Sequence, residues 1–172
     1  RFHTSYTRVG GALFDVNNAW VDRVRTFVKE FPPTHAEVHR LLTLVPAGVP
    51  VPPDRSALDF VCLMVHVTTG QRPTVREVRR ALRLAAVPDD HLDQPAVTLR
   101  PVERLGAWLA AHRLRGAALL LLDDPIRDLA ASDVPEALSL IRETVETGAA
   151  TLMVTRDAQA GQAVADVLLR II

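Results

Sequence analysis

The chain has 172 residues, of which 48% are hydrophobic and 23% charged, as is ordinary for one soluble globular domain. Its 20 basic and 20 acidic side chains cancel, which argues against a protein that wraps nucleic acid, because such proteins carry a basic excess. No apolar stretch reaches the roughly eighteen residues of a membrane span. The single Cys62 excludes an internal disulfide and suits a reducing cytosol.

Strand-like and helix-like segments alternate, which predicts a parallel sheet covered by helices. The first half of the chain is predicted to hold a strand over Val9–Val16, a helix over Asn18–Phe31 that Pro32 and Pro33 stop, a strand over Glu37–Val45, a proline-rich loop over Pro46–Asp54 and a buried helix over Ser56–Thr68.

The second half begins with a capping-box pattern at Thr74 and Glu77, which opens a helix to about Ala86. It continues with a polar connection over Pro88–Pro95, a helix from Pro101 to Gly116, a buried strand over Ala117–Leu122, a helix opened by a second capping-box pattern at Asp133 and Glu136, a buried strand over Ala150–Thr155, a helix over Ala158–Ala165 and a strand over Val167–Ile172.

Two carboxylates follow the apolar run Ala117–Leu122. Asp123 and Asp124 would lie at the carboxyl edge of the sheet, where α/β proteins bind ligands. In a nucleoside triphosphatase the first such acid supports Mg²⁺, and the second can position or activate water. Taken alone, an acid pair at a strand end is more often a solvated cap than a site.

The sequence motifs around Asp123 and Asp124 together resemble those of a known protein family. LLLLDDP, ending at Pro125, resembles the Walker B strand of the ABC transporter ATPase family. The resemblance implies that Asp123 takes the magnesium-supporting place and Asp124 that of the catalytic glutamate, with a side chain shorter by one methylene. Arg127–Ala130 falls at the D-loop, and Arg156 replaces the switch histidine. Arginine cannot act as a neutral acceptor.

The segment TLRPVERLGAWLAAHRLRG, from Thr98 to Gly116, is similar to the family's signature segment and the helix that follows it. Leu99 and Glu103 match LSGGE, but Arg100, Pro101 and Val102 replace Ser-Gly-Gly. Pro101 removes an N–H from a loop that would approach a phosphate. Upstream, the run Thr74–Pro95, which begins with TVRE, resembles the helical subdomain, and FPPTHAEV at Phe31–Val38 resembles the segment after the first helix. Ala47 in LVPAG replaces the Q-loop glutamine.

The same spacing places Phe14–Val21, FDVNNAWV, over the P-loop pattern G-x-x-x-x-G-K-[ST]. A P-loop works because glycine-rich N–H groups cradle phosphates and lysine adds positive charge. Here the positions that would touch nucleotide are Asn17, Asn18, Ala19, Trp20 and Val21, with Trp20 in place of the lysine and Val21 in place of the hydroxyl. Phe14 and Ala19 replace the two glycines. Phosphate binding at this segment is therefore not expected.

The resemblance implies a single domain over residues 1–172: an α/β, P-loop NTPase-like three-layer fold with a mostly parallel sheet and a small helical subdomain at about 56–115. It implies a degenerate cassette that neither binds nor hydrolyses ATP by itself. Such a chain would be a cytoplasmic structural or regulatory subunit, attached to a membrane only through a partner. The partner would be a second cassette, a permease or another copy; no cofactor, metal or nucleic acid is expected.

Two alternatives stay open. One is a residual ATPase working with an active partner cassette, with ATP and Mg²⁺ held at Asp123. The other is an assembly module with no transporter.

Other polar and aromatic groups have structural interpretations. His35 and His39 lie four apart but lack a nearby third metal ligand. Trp108 is predicted to pack rather than to stack on bases. A row of arginines on the Thr74 helix is interpreted as a solvated face rather than an anion or RNA contact; it comprises Arg76, Arg79, Arg80 and Arg83.

Overall fold

The computed structural model describes residues 7–9, 12–14 and 40–166. Thr7–Val9 (β1) and Ala12–Phe14 (β2) pair antiparallel, with Val9 opposite Ala12. The single strand predicted over Val9–Val16 is therefore wrong, because its residues divide between two strands of opposite direction. Gly10 and Gly11 between them are a hairpin signal that the apolar pattern obscured.

From residue 40 onward, the strands and helices follow the predicted order. The elements are β3 (Leu42–Val45), α1 (Ala57–Thr69), α2 (Val75–Leu84), α3 (Pro101–Arg115), β4 (Leu119–Asp123), α4 (Val134–Val145), β5 (Ala150–Val154) and α5 (Ala158–Val164), with short 3₁₀ turns at Asp89–His91 and Ala96–Thr98. The helix predicted over Asn18–Phe31 and the strand predicted over Val167–Ile172 lie outside the described residues.

The three later strands form a parallel sheet in the order β3-β4-β5. Leu44, Leu121 and Leu152 are neighbours across the three strands. The strand predicted over Glu37–Val45 is shorter than expected, because residues 40–41 are helical and pairing begins at Leu42. The prediction of a buried strand over Ala150–Thr155 is correct in position and wrong in burial, because β5 lies at the edge of the sheet and alternates exposed with half-buried residues.

The core lies between one face of this sheet and the helices. Thr43, Val45, Leu120 and Leu122 on that face are buried. Helix α3 packs behind them and also contacts α1, α2 and α4. Because α3 is surrounded in this way, most of its residues are buried, from Val102 to His112. This central helix therefore carries the segment that resembles the signature motif.

Helix boundaries follow the caps that the sequence predicts. Ser56 accepts a hydrogen bond from the Asp59 N–H, and Thr74 and Glu77 form both halves of a capping box. Pro101 begins α3, which ends at Gly116 in the left-handed conformation (φ 60°). The capping box predicted at Asp133 and Glu136 is wrong. Asp133 precedes α4 with helical φ and ψ and makes no side-chain cap.

Helix α3 approaches the end of α2 very closely at Gly106. A Cβ atom added there would collide with the carbonyl oxygen of Ala85 and would lie 3.2 Å from Val87 Cγ2. Glycine is needed at this position for space, since the residue is helical rather than left-handed.

Within the described ranges, no helix is long and apolar enough to cross a membrane.

Candidate functional site

The carboxyl ends of β3 and β4 lie side by side, with Val45 paired to Leu122. The turn after β3 contains Gly48 at φ 74° and Val49 at φ 42°. A β-branched residue in the left-handed region is uncommon and strained. A Cβ added to Gly48 would lie 3.0 Å from Asp128 Oδ2. The segments that resemble the Q-loop and the D-loop are thus in contact, as expected of neighbours at one sheet edge.

Asp123 and Asp124 have different surroundings. Asp123 is the last residue of β4 and is exposed. Asp124 is mostly buried, with 13% of its side chain exposed, and Arg156 Nε lies 3.9 Å from its Oδ2 atom. The Thr155 hydroxyl donates a hydrogen bond of 3.4 Å to Asp124 Oδ1. Asp124, predicted at the place of a catalytic glutamate, is therefore paired with Arg156, predicted at the place of the switch histidine.

The backbone turns the Asp124 carboxylate toward β5. Asp124 has φ 44°, and its N–H donates to Val154 O at 2.8 Å. Aspartate is one of the few residues with a side chain that tolerates this conformation. The left-handed turn directly after β4 thus directs the second acid toward Thr155 and Arg156, while Asp123 faces solvent.

The loop after β3 is anchored to the central helix. Trp108 Nε1 donates a hydrogen bond of 2.9 Å to Pro50 O, and the indole meets the Phe60 ring edge-on at 5.2 Å between centroids. This confirms the prediction that Trp108 is a packing residue. Ala47, in the place of the Q-loop glutamine, carries a methyl group that can ligate no metal.

At the start of α3, Glu103 is buried, with about 2% of its surface exposed. Arg100 donates to it twice: from Nε to Oε1 at 2.8 Å and from the backbone N–H to Oε2 at 3.1 Å. The His91 ring lies 3.2 Å from Oε2. Burial by itself raises the pKa of Glu103, but these hydrogen bonds outweigh it and hold the pKa below its ordinary value.

The Arg100 guanidinium also reaches the start of α4. It lies 3.6 Å from Asp133 Oδ1 and 4.0 Å from Glu136 Oε2. Both acids of the predicted Asp133–Glu136 capping box thus face the guanidinium of Arg100, the residue directly before α3. The residue that replaces serine in the signature segment is therefore held among three carboxylates.

The predicted P-loop positions Asn17, Asn18, Ala19, Trp20 and Val21 lie outside the described residues, as do His35 and His39. In the described part of the chain, no group of three His, Cys, Asp or Glu side chains is arranged to hold a metal ion.

The arginine row on α2 is partly neutralised by acidic side chains. Arg79 Nη2 donates hydrogen bonds of 2.9 and 2.7 Å to the two carboxylate oxygens of Asp93, and Arg83 pairs with Asp89 at 2.5 Å. This fits the solvated-face interpretation.

Sequence reasoning missed a buried polar cluster between α3 and β3. The Thr43 hydroxyl lies 3.0 Å from His112 Nδ1 and accepts a hydrogen bond of 2.9 Å from Arg115 Nη1. Arg115 Nη2 also donates to Leu42 O at 2.8 Å. His112 and Arg113 border a cavity of about 370 Å³ at the amino end of the sheet, opposite Asp123. No spacing in the sequence could reveal this cluster, because 69 positions separate His112 from Thr43.

Residues 1–47 match the sequence profile of the respiratory-chain NADH dehydrogenase 49 Kd subunit. An NADH-quinone oxidoreductase subunit from Methylacidiphilum infernorum is 44% identical over 43 residues, and one from Opitutus terrae is 49% identical over 43 residues. Each match covers 25% of this chain and 10% of the relative. The chain thus spans about a tenth of these relatives.

Solved structures resemble most of the chain. The ATP-binding cassette MJ0796, in a dimeric post-hydrolysis state bound to ADP and Pi, has a TM-score of 0.63 at 13% identity, covering 90% of this chain and 64% of the cassette. A second dimeric structure of MJ0796, a bacterial ABC transporter cassette, gives 0.61 at 13% identity, covering 92% and 65%. An ABC transporter ATP-binding protein from Pyrococcus furiosus gives 0.58 at 21% identity, covering 70% and 60%.

These similarities confirm the fold class. The chain has the P-loop NTPase-like fold of ABC transporter cassettes, with a parallel sheet and packed helices, and spans less than two thirds of the length of those cassettes.

Proposed function

We propose that this chain is a cassette-fold protein that does not hydrolyse ATP by itself and acts through protein contacts, as a structural or regulatory subunit. The observation that carries the proposal is the pairing of Asp124 with Arg156. Both Asp124 carboxylate oxygens have a protein group beside them, Arg156 Nε at 3.9 Å and the Thr155 hydroxyl at 3.4 Å, at the place where a catalytic carboxylate would hold water. Arginine carries only hydrogen-bond donors, so Arg156 can accept neither a proton nor a hydrogen bond from a water molecule.

The neighbouring positions support the proposal. Mg²⁺ prefers oxygen ligands, and Ala47 in the turn after β3 offers no side-chain oxygen to a magnesium–nucleotide complex. Pro101 at the start of α3 offers no N–H to a phosphate. The similarity of residues 1–47 to a family other than the cassettes fits the lack of P-loop glycines and lysine between Phe14 and Val21.

Titration calorimetry with ATP and Mg²⁺ tests this proposal on the full chain. We expect no saturable heat, and no difference between the native chain and an Asp123→Asn variant. Magnesium-dependent binding that Asp123→Asn weakens would sink the proposal. A matched Asp128→Asn variant, altered five positions away on the same edge, controls for a general loss of negative charge.

A residual ATPase is the second candidate, and the exposure of Asp123 at the end of β4 favours it. MJ0796 is dimeric in both structures that resemble this chain, so a partner cassette could complete the site. This candidate requires turnover on mixing with that partner, reduced by Asp123→Ala. Unchanged turnover in the variant would exclude it.

An assembly module without a transporter is the third candidate. The similarity of residues 1–47 to proteins named as oxidoreductase subunits favours it. Purification from the native membrane fraction separates the choices. A permease that co-purifies supports a transporter subunit, whereas a different complex supports an assembly module.

A further inference from the structure

The cavity of about 370 Å³ at the amino end of the sheet lies between the end of α3 and the turn that joins α4 to β5. Among the described residues that line it, His112 and Arg113 carry nitrogen donors and none is acidic. Apart from Thr147, the remaining described lining residues are glycines and alanines. Pockets for small molecules have volumes of roughly 300–1,000 Å³ and combine apolar walls with a few polar groups. The cavity therefore has the size and lining of a pocket for a small ligand.

One ring nitrogen of His112 is bonded within the protein, and the other is available to the cavity. The buried Thr43 hydroxyl accepts a hydrogen bond from Arg115 Nη1 and lies 3.0 Å from His112 Nδ1. A hydroxyl has a single hydrogen to donate, and within the described residues the acceptor beside it is His112 Nδ1. Because Nδ1 accepts this hydrogen, the proton of the neutral ring lies on Nε2. His112 thus offers the cavity an N–H donor.

The imidazole of His112 is neutral near pH 7 and lies in a positive potential. Burial, followed by the charges of Arg115 and Arg113, lowers its pKa to about 4. Both guanidinium groups therefore act on this ring, and the described lining holds no carboxylate to offset them. A positive potential beside an N–H donor favours a ligand that is negatively charged and accepts hydrogen bonds.

Arg113 has hydrogen-bond donors that the described chain does not use. Its Nη1 donates a long hydrogen bond of 3.4 Å to Leu84 O. Its Nε is shielded from solvent and has no hydrogen-bond partner among the described residues. Buried polar atoms are nearly always bonded to protein, water or a ligand. A guanidinium is well suited to a carboxylate, because its planar donors match the two oxygens.

We propose that this cavity binds a small monocarboxylate, with the carboxylate between Arg113 and His112 and the hydrocarbon part against the alanine side chains. The lining alanines are Ala117, Ala118 and Ala149. Phosphate fits less well, because phosphate sites use the amino ends of helices, whereas α3 and α4 both end beside this cavity. A single negative charge also matches the one arginine of the described lining.

Backbone amide chemical shifts of the full chain, titrated with butyrate, test the proposal. We expect saturable binding in the millimolar range, with the largest shifts at Gly116, Thr147 and Gly148. The uncharged isostere butyramide should bind at least about tenfold more weakly, because it cannot form charge-assisted hydrogen bonds. Inorganic phosphate should also bind more weakly. No saturable shift at these residues, or equal affinity for butyrate and either of the other two compounds, would overturn the proposal.

Two variants test the position of the ligand. Arg113→Gln should weaken butyrate binding at least about tenfold, because it removes the charge but keeps a polar side chain. Arg142→Gln on α4 is the matched control, since it removes a cation that does not line the cavity and should leave the affinity unchanged. Ala149→Leu keeps Arg113 but fills the cavity, and it should abolish binding. Butyrate binding that survives both Arg113→Gln and Ala149→Leu would place the ligand elsewhere and contradict the proposal.

This site is separate from the carboxyl edge of the sheet. Because the cavity lies at the opposite end from Asp123, the butyrate titration gives the same answer whether or not the chain binds ATP. The calorimetric test with ATP and Mg²⁺ and the titration with butyrate can therefore fail independently.

Discussion

Arg156 Nε lies 3.9 Å from Asp124 Oδ2, which joins the residue after β4 to the second residue after β5. The two side chains differ in exposure, 83% for Arg156 and 13% for Asp124. The ion pair therefore joins an exposed guanidinium to a mostly buried carboxylate. In the proposed function, this pair occupies the space in which an active cassette would position water.

The free energy of unfolding should depend more on the left-handed backbone conformation of Asp124 than on its ion pair with Arg156. Arg156→Ala should lower the free energy of unfolding by less than about 1 kcal/mol, because exposed pairs contribute little. Asp124→Ala should cost more, since φ 44° is unfavourable for alanine by about 1–2 kcal/mol. Asp124→Gly removes the same carboxylate without that strain. Urea unfolding that ranks Asp124→Gly as low as Asp124→Ala would contradict this account.

The Arg100–Glu103 pair should matter more than an exposed pair. Arg100→Ala leaves a buried carboxylate without its side-chain cation, and we expect a loss of about 2 kcal/mol, since Arg100 itself is half-exposed. Adding Glu103→Gln to Arg100→Ala should recover part of the loss, because the neutral amide is easier to bury. Urea unfolding measures both. Arg142→Ala, which breaks an exposed pair with Glu146 on α4, is the control and should change little.

Local signals predicted the helices of the described chain well. Thr74, Glu77, Pro101 and Gly116 act at helix ends through contacts within a few residues, so their effects can be seen in the sequence. The acid pair after β4 was likewise predictable, because the carboxyl edge of a parallel sheet follows from element order. The failure at Asp133 has a different origin. The guanidinium of Arg100, 33 positions away and directly before α3, lies 3.6 Å from that carboxylate.

The arrangement of side chains at the candidate site could not be predicted from the sequence. Nothing in LLLLDDP distinguishes the surroundings of Asp123 from those of Asp124, because their difference arises from a left-handed turn and from Thr155, the first residue after β5. Burial of Glu103 depends on how three helices meet around α3. The exposure of β5 depends on its place at the sheet edge, which composition alone cannot specify.

Gly106→Ala should be strongly destabilising although alanine favours helices. The added methyl would collide with the carbonyl oxygen of Ala85, which forces α2 and α3 apart. Overpacking of this kind costs about 1–3 kcal/mol. Thermal unfolding should show a lower midpoint for this variant. Ser139→Ala on α4 is a suitable control. A Gly106→Ala variant as stable as the native chain would show that the two helices can separate without cost.

The His112 imidazole is buried against β3, with about 2% of the residue exposed. Burial, followed by the charges of Arg115 and Arg113, lowers the pKa of its imidazole from 6.5 to about 4. The unfolded chain therefore binds a proton below pH 6.5 that the native chain refuses until about pH 4. Stability should fall as the pH is lowered through this window, by up to about 3 kcal/mol. His112→Gln can keep a hydrogen bond to Thr43 without titrating, so it should remove that part of the pH dependence. Urea unfolding at several pH values measures it, with exposed His66→Gln as the control. An equal fall in stability for the native chain and His112→Gln would show that carboxylates, and not His112, are responsible.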